Sequence, residues 1–167
     1  MARRSAERQE ERKLTVSLVQ GIEAVACTFL LIYGFALAGR PGAIWALVSA
    51  VIVLRPGFQE SFHASRARVA ANLVGALVGV GVGSTMGSRP AAIALALFLV
   101  ILMCHWQPLQ VGVRSACSGV VIVMMHEGHI RESGFERFLA VVIGCCVALI
   151  IGYLGDRLYR PFRPQMR

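Results

Sequence analysis

Charge is scarce in this chain, and negative charge scarcer still. Only 16% of the residues are charged, and Asp and Glu number 9 against 17 Lys and Arg. With 56% hydrophobic residues and a mean hydropathy of +0.65, this poverty of charge excludes an ordinary soluble domain. Within the apolar runs acids nearly vanish, and Glu23 is the single one there. There is no low-complexity tract, linker or second domain, no nucleophile–base constellation and no phosphate loop. The five cysteines, Cys27, Cys104, Cys117, Cys145 and Cys146, lie in or at the ends of apolar runs without metal-site spacing. Adjacent Cys145 and Cys146 point to different faces of a helix, so no disulfide framework is implied. His126-Glu127-Gly128-His129 sets its histidines three apart beside a glycine, where a helical zinc site needs them four apart. It reads as a polar loop. The expectation is a protein that is not an enzyme and uses no metal or cofactor.

What is present is apolar sequence with basic edges. The runs cover residues 16–37, 43–54, 69–86, 91–104, 115–125 and 138–154, separated by Gly, Pro and charged breaks. In lipid only helices satisfy the backbone at such lengths, so the chain reads as an all-α integral membrane bundle of six transmembrane helices. The net charge of +8 does not point to nucleic acid, because the basic residues flank the runs rather than lining a polar face. They suit the headgroups of a lipid bilayer. Residues 1–13 form a basic tail, 14–156 the six-helix domain and 157–167 a second basic tail. One side of a six-span layout collects 13 Lys and Arg, from the two ends, the 55–68 loop and Arg114; the other has Arg40, Arg89, Arg131 and Arg137. The positive-inside rule then puts both termini in the cytoplasm. A cleaved signal peptide is the competing reading of the first run, but its length exceeds a typical signal core.

The chain also repeats. At an offset of 69 residues, Ser49, Val51, Arg68, Ala71, Gly75, Val78 and Gly83 fall on Ser118, Val120, Arg137, Ala140, Gly144, Val147 and Gly152. The two copies span about 16–86 and 85–155. Three spans per copy is odd, so the copies enter the membrane in opposite directions, giving an inverted 3+3 repeat. The middle run of each copy, at 12 and 11 residues, falls short of the ~20 needed to cross. Such pairs mark discontinuous helices at a substrate site, unless polar neighbours complete ordinary tilted helices.

Several side chains stand out. Gly75, Gly79, Gly83 and Gly87 recur every four residues on one helix face, and Gly144, Ala148 and Gly152 repeat the theme, so both stripes read as packing faces. Arg68 and Arg137 are expected at the starts of the third and sixth spans, behind caps at Ser65 and Ser133, with Ser133 through Glu136 fitting a capping box. There, with Arg55 and Arg66, they either hold a carboxylate or snorkel to headgroups. Glu23 is a candidate coupling group or a solvated interfacial acid. Asn72 and Gln20 read as hydrogen-bonding partners between helices.

The run from Trp45 through Ser49 to Arg55-Pro56, followed by Ser61, Arg68 and Gly75-Ala76, resembles the membrane half of the fusaric acid resistance and aromatic acid exporter proteins. Arg137 through Gly144 to Leu154 resembles the end of the same region. The resemblance implies a six-helix membrane domain working as a homo-oligomer, and efflux of aromatic or other organic acids across the bacterial inner membrane. The similar plant malate channels turn arginines toward an anion pathway, which favours Arg55, Arg66, Arg68 and Arg137 as substrate-binding residues. The 167 residues include no large cytoplasmic domain or second membrane half of the kind larger members carry. The expectation is therefore a transporter or a transporter subunit, with a non-transporting assembly protein as the alternative.

Overall fold

Long apolar runs have one way to satisfy their backbone without water, which is to close hydrogen bonds within each run. The structure, a computed structural model, describes residues 2–39, 42–55, 57–106, 112–125 and 130–159, and every long element among them is an α-helix. In chain order these are α1 (Ala2–Leu37), α2 (Ala43–Val53), α3 (Phe58–Met86), α4 (Pro90–Trp106), α5 (Val113–Met125) and α6 (Ile130–Tyr159). Stretches of α1, α3 and α6 (Leu14–Leu37, Phe58–Met86 and Gly134–Leu158) are long and apolar enough to cross a membrane. The remaining three helices have 11, 17 and 13 residues.

Two helix starts differ from the sequence expectation. α3 begins at Phe58 and α6 at Ile130, well ahead of the apolar runs at 69 and 138. Ser65 and Arg68 therefore lie inside α3, and the backbone of Ser133 is already helical, so neither serine is an N-cap and the capping box does not form. The reason is local. Ser61 Oγ accepts the Arg55 N–H at 2.9 Å and donates to the Arg55 carbonyl at 3.2 Å, closing the turn after α2. With Ser61 and Ser65 buried, the polar start of α3 faces protein, and the helix extends through it. Gly87 has φ +70 and stands past the end of α3 with nothing near its missing Cβ, so it ends the helix rather than extending the packing stripe.

α3 and α6 form the central pair. The Phe58 and Tyr153 rings meet edge to face at 5.6 Å, Ser65 lies by Cys145, and Gly134 lies by Val80. Numbers rise on one helix as they fall on the other, so the pair is antiparallel. Its register sets Ala71 close to Ala140, which are equivalent positions in the 69-residue repeat.

The two short helices lie across this pair, each on the long helix of the other copy. A Cβ on Gly75 of α3 would come 2.5 Å from the Ala116 carbonyl oxygen of α5. A Cβ on Gly144 of α6 would overlap the Ala46 carbonyl of α2. Gly79 and Gly152 rest on Val120 with Val123 and on Leu54, so these stripes are consumed inside the bundle. Two separate cores result. Cys27 and Leu31 of α1 join Ala46, Ala50 and Val53 of α2 and Val141, Cys145 and Ala148 of α6. Ala96, Val100 and Cys104 of α4 join Ala71 of α3 and Ala116, Val120 and Met124 of α5.

Side chains at Gly75 or Gly144 would force a backbone apart, and overpacking of that kind costs about 1–3 kcal/mol or more. Gly75→Leu and Gly144→Leu should each lower the thermal midpoint in detergent and the yield of monodisperse protein. Gly81→Leu, where nothing lies within 4 Å of the added carbon, should leave both unchanged. Equal losses at all three positions would contradict this packing.

Candidate functional site

Asn72 of α3 reaches across to α5, donating from Nδ2 to Ser115 Oγ at 2.7 Å and to the Arg68 carbonyl at 2.9 Å. Gly119, the next turn of α5, lies under this contact. A Cβ there would stand 3.9 Å from both Asn72 Oδ1 and Arg137 Nε. The Arg137 side chain thus reaches from α6 into the space between α3, α5 and α2. It is only 7% exposed. Its guanidinium carbon stands 4.1 Å from the centre of the Trp45 ring of α2, and Nη2 donates to Ser118 Oγ of α5 at 3.3 Å.

Arg68, the repeat mate of Arg137, is half-buried on α3 and near enough for the two positive charges to repel. Cys145 of α6 lies within electrostatic reach of Arg68 and beside Ser65. Among the described residues, the buried side-chain polar atoms without a hydrogen bond are Ser65 Oγ, Arg68 Nε, Arg137 Nε and Arg137 Nη1. They form one cluster. No ion pair joins either arginine to a described carboxylate; Glu136, which directly precedes Arg137, is exposed, as is Glu60.

Magnitudes show how unusual this is. A buried donor left unpartnered costs about 1–3 kcal/mol, and more when charged. A desolvated cation–π contact returns about 2 kcal/mol. The Trp45 ring therefore offsets part of the cost for Arg137, and among the described residues no such ring meets Arg68. Two cations within electrostatic reach of each other, with three nitrogens (Arg68 Nε, Arg137 Nε and Arg137 Nη1) left without a hydrogen bond, make a region of positive potential suited to an oxyanion.

The other sequence candidates lie elsewhere. Arg55 is exposed at the end of α2, and Arg66 is exposed on a different face of α3 from Arg68. Glu23 is half-buried on α1 with its carboxylate against Gly155 of α6, where the missing Cβ makes room for it. Gln20 donates to the Leu54 carbonyl at 3.1 Å, joining α1 to the end of α2 as its type suggested. Gly83 is buried on α3. The polar stretch at 126–129, Arg40 and the 160–167 tail lie outside the described residues, as does the Arg131 side chain. Among the described residues no cluster of His, Cys, Asp and Glu could hold a metal ion. Sequence reasoning missed Trp45, Ser65, Ser118 and Cys145 as neighbours of the arginines. Ser118 carried a signal, as one of the repeat identities.

Residues 25–151 match the sequence profile of the Fusaric acid resistance protein-like family. A UPF0421 protein of Staphylococcus epidermidis (strain ATCC 12228 / FDA PCI 1200) is 29% identical over 128 residues, which is 74% of this chain and 39% of that protein. The chain thus spans about two fifths of the length of that relative. No solved structure matches.

Burying a charge that no opposite charge compensates costs on the order of several kcal/mol, a cost that an apolar side chain of similar length does not carry. Arg137→Met should therefore keep or raise the thermal midpoint of the detergent-solubilised protein, by up to several degrees on the usual scale. A large drop would mean that Arg137 has a stabilising partner.

Proposed function

Because the chain belongs to the Fusaric acid resistance protein-like family, we propose that it is a membrane transporter, or the membrane subunit of one, that exports aromatic or other organic acids as anions across the inner membrane. The observation that carries this reading is the pair Arg68, half-buried, and Arg137, buried, one from each copy of the repeat and without a counter-charge among the described residues.

On this reading all six helices enter the bilayer, as an inverted 3+3 repeat with both termini cytoplasmic. The cross-wise packing of α2 on α6 and of α5 on α3 supports that symmetry, since each copy makes the same contact with the other. At 1.5 Å per residue, α2 and α5 are about 17 and 20 Å long, short of a ~30 Å hydrocarbon core. They serve as the half-crossing helices that bound a substrate site. Arg68 stands about 15 Å along the ~44 Å of α3, and Arg137 about 10 Å along the ~45 Å of α6 from the opposite direction, so on this reading both cations lie within the bilayer. The carboxylate binds between them, and the chain works as a homo-oligomer. An accessory role would use the glycine faces for partner helices, but Gly75, Gly79 and Gly144 are filled from within.

Two experiments test this. Reporter fusions at Arg167 and within the loop around Arg131 should report opposite compartments; a shared compartment removes the six-span layout and its inverted repeat. Proteoliposomes containing only this chain should pass members of a panel of aromatic carboxylates. Arg68→Ala and Arg137→Ala should each cut flux per inserted protein about tenfold or more, the equivalent of one lost charged hydrogen bond. Lys at either position should restore only part, because an ammonium lacks the planar fork. Full flux in both alanine variants would end the anion-site reading.

A further inference from the structure

Arg137 meets its surroundings in two different ways. Its guanidinium carbon lies 4.1 Å over the centre of the Trp45 ring, the separation of a face-to-face stack, which leaves the edge to hydrogen bonding. Only Nη2 uses that edge, toward Ser118, and Nε and Nη1 remain buried and unpartnered in a side chain that is 7% exposed. A guanidinium has all its N–H groups in one plane, so stacking its face restrains the plane without consuming a donor. A carboxylate partner would have fixed the same plane by occupying those donors.

The arrangement belongs to one copy of the repeat. The residue equivalent to Trp45 is Arg114, which is exposed, so Arg68 has no counterpart to the Trp45 ring at that position. Ser118 corresponds to Ser49, which is buried and donates to the Trp45 carbonyl at 2.8 Å within α2. Ser49 therefore ties down the turn that carries Trp45, while Ser118 takes one donor of Arg137.

We infer that Trp45 is a positioning residue for anion binding: its ring holds the Arg137 guanidinium in a fixed plane, so that a free donor at its edge, Nε or Nη1, is available to the carboxylate of an incoming organic acid. This rests on the anion-transport reading above. Trp45 acts through Arg137 and does not itself need to touch the ligand, so loss of its ring weakens the binding of aromatic and non-aromatic carboxylates alike.

The test is calorimetric titration of the full chain in mild detergent with benzoate and with cyclohexanecarboxylate, a non-aromatic acid of similar size. Wild type should bind both, and Arg137→Ala should abolish both. Trp45→Leu should weaken both by about tenfold, and Trp45→Phe by a smaller factor, as the weaker ring quadrupole dictates. In Trp106→Phe protein, whose remaining tryptophan is Trp45, either acid should shift the emission, and adding Arg137→Ala should remove the shift. If Trp45→Leu does not fold, Trp45→Phe decides. Unchanged affinities in the Trp45 variants would overturn this inference and leave the transport reading standing. Weakening for benzoate alone would also overturn it, since the ring would then be stacking on the ligand. No binding of either acid by wild type would remove the anion site along with the inference.

Discussion

The arrangement depends on two places where one backbone lies directly on another. Gly75 lets the Ala116 turn of α5 sit on α3, and Gly144 lets the Ala46 turn of α2 sit on α6. Without a hydrophobic drive between helices in lipid, such close contact is a main source of helix association. It also sets the position of chemistry. Trp45 is the residue before Ala46, and Ser115 and Ser118 flank Ala116. The two glycine contacts thus bring an indole and two hydroxyls from the short helices to within reach of the polar residues of α3 and α6. Packing and site are one arrangement: the missing methyl groups on the long helices locate the polar groups on the short ones.

The 69-residue offset between matching positions bears on why the arginines meet. α3 and α6 are equivalent helices packed antiparallel, so positions near the crossing face their own repeat mates. Ala71 and Ala140 lie there, and Arg68 and Arg137 stand three residues, about one turn, before them. One arginine at each of two matching positions therefore gives a pair of like charges at the interface. Around that pair the copies have diverged. Asn72 follows Arg68 and ties α3 to α5, whereas its mate, Val141, is buried in the apolar core. Trp45 serves Arg137, and its mate is the exposed Arg114. The scaffold is close to symmetric, while the polar lining is not.

Much of the architecture was legible in the sequence. The six apolar runs correspond to six helices, and α1 and α4 end at Leu37 and Trp106, 69 residues apart as the repeat requires. The starts of α3 and α6 were not legible, because hydropathy marks where a helix meets lipid and misses turns whose polar face meets protein. Ser61 and Ser65 are such turns, buried while apolar neighbours such as Phe62 face outward. The error mattered, since it placed the arginines at helix N-termini and on opposite sides of the bundle. Arg55 and Arg66 shared the same stretch of sequence as Arg68, yet Arg55 lies in the turn before α3 and helical periodicity turns Arg66 to a different face. The identity of Arg68 and Arg137 under the repeat was readable, but their meeting requires the antiparallel pairing of α3 with α6. Trp45 could be linked to Arg137 only through the crossing of α2 over α6.

That no described carboxylate pairs with these arginines bears on the proposed function. Glu136 precedes Arg137 directly, and a helix turns about 100° per residue, so the acid closest in sequence is directed outward. Were an acid to face the cluster, it would satisfy the guanidinium permanently and compete with any carboxylate arriving from solution. A ring does neither. Stacking offsets part of the cost of burying a cation yet leaves its donors free. The remaining cost falls on the folded state and is offset by the apolar cores on either side, which need no polar partner. A site that releases its ligand must tolerate being empty. An aromatic face and a single long hydrogen bond to Ser118 meet that condition for Arg137, because they are weak enough to leave the edge of the guanidinium available and still hold it in one plane.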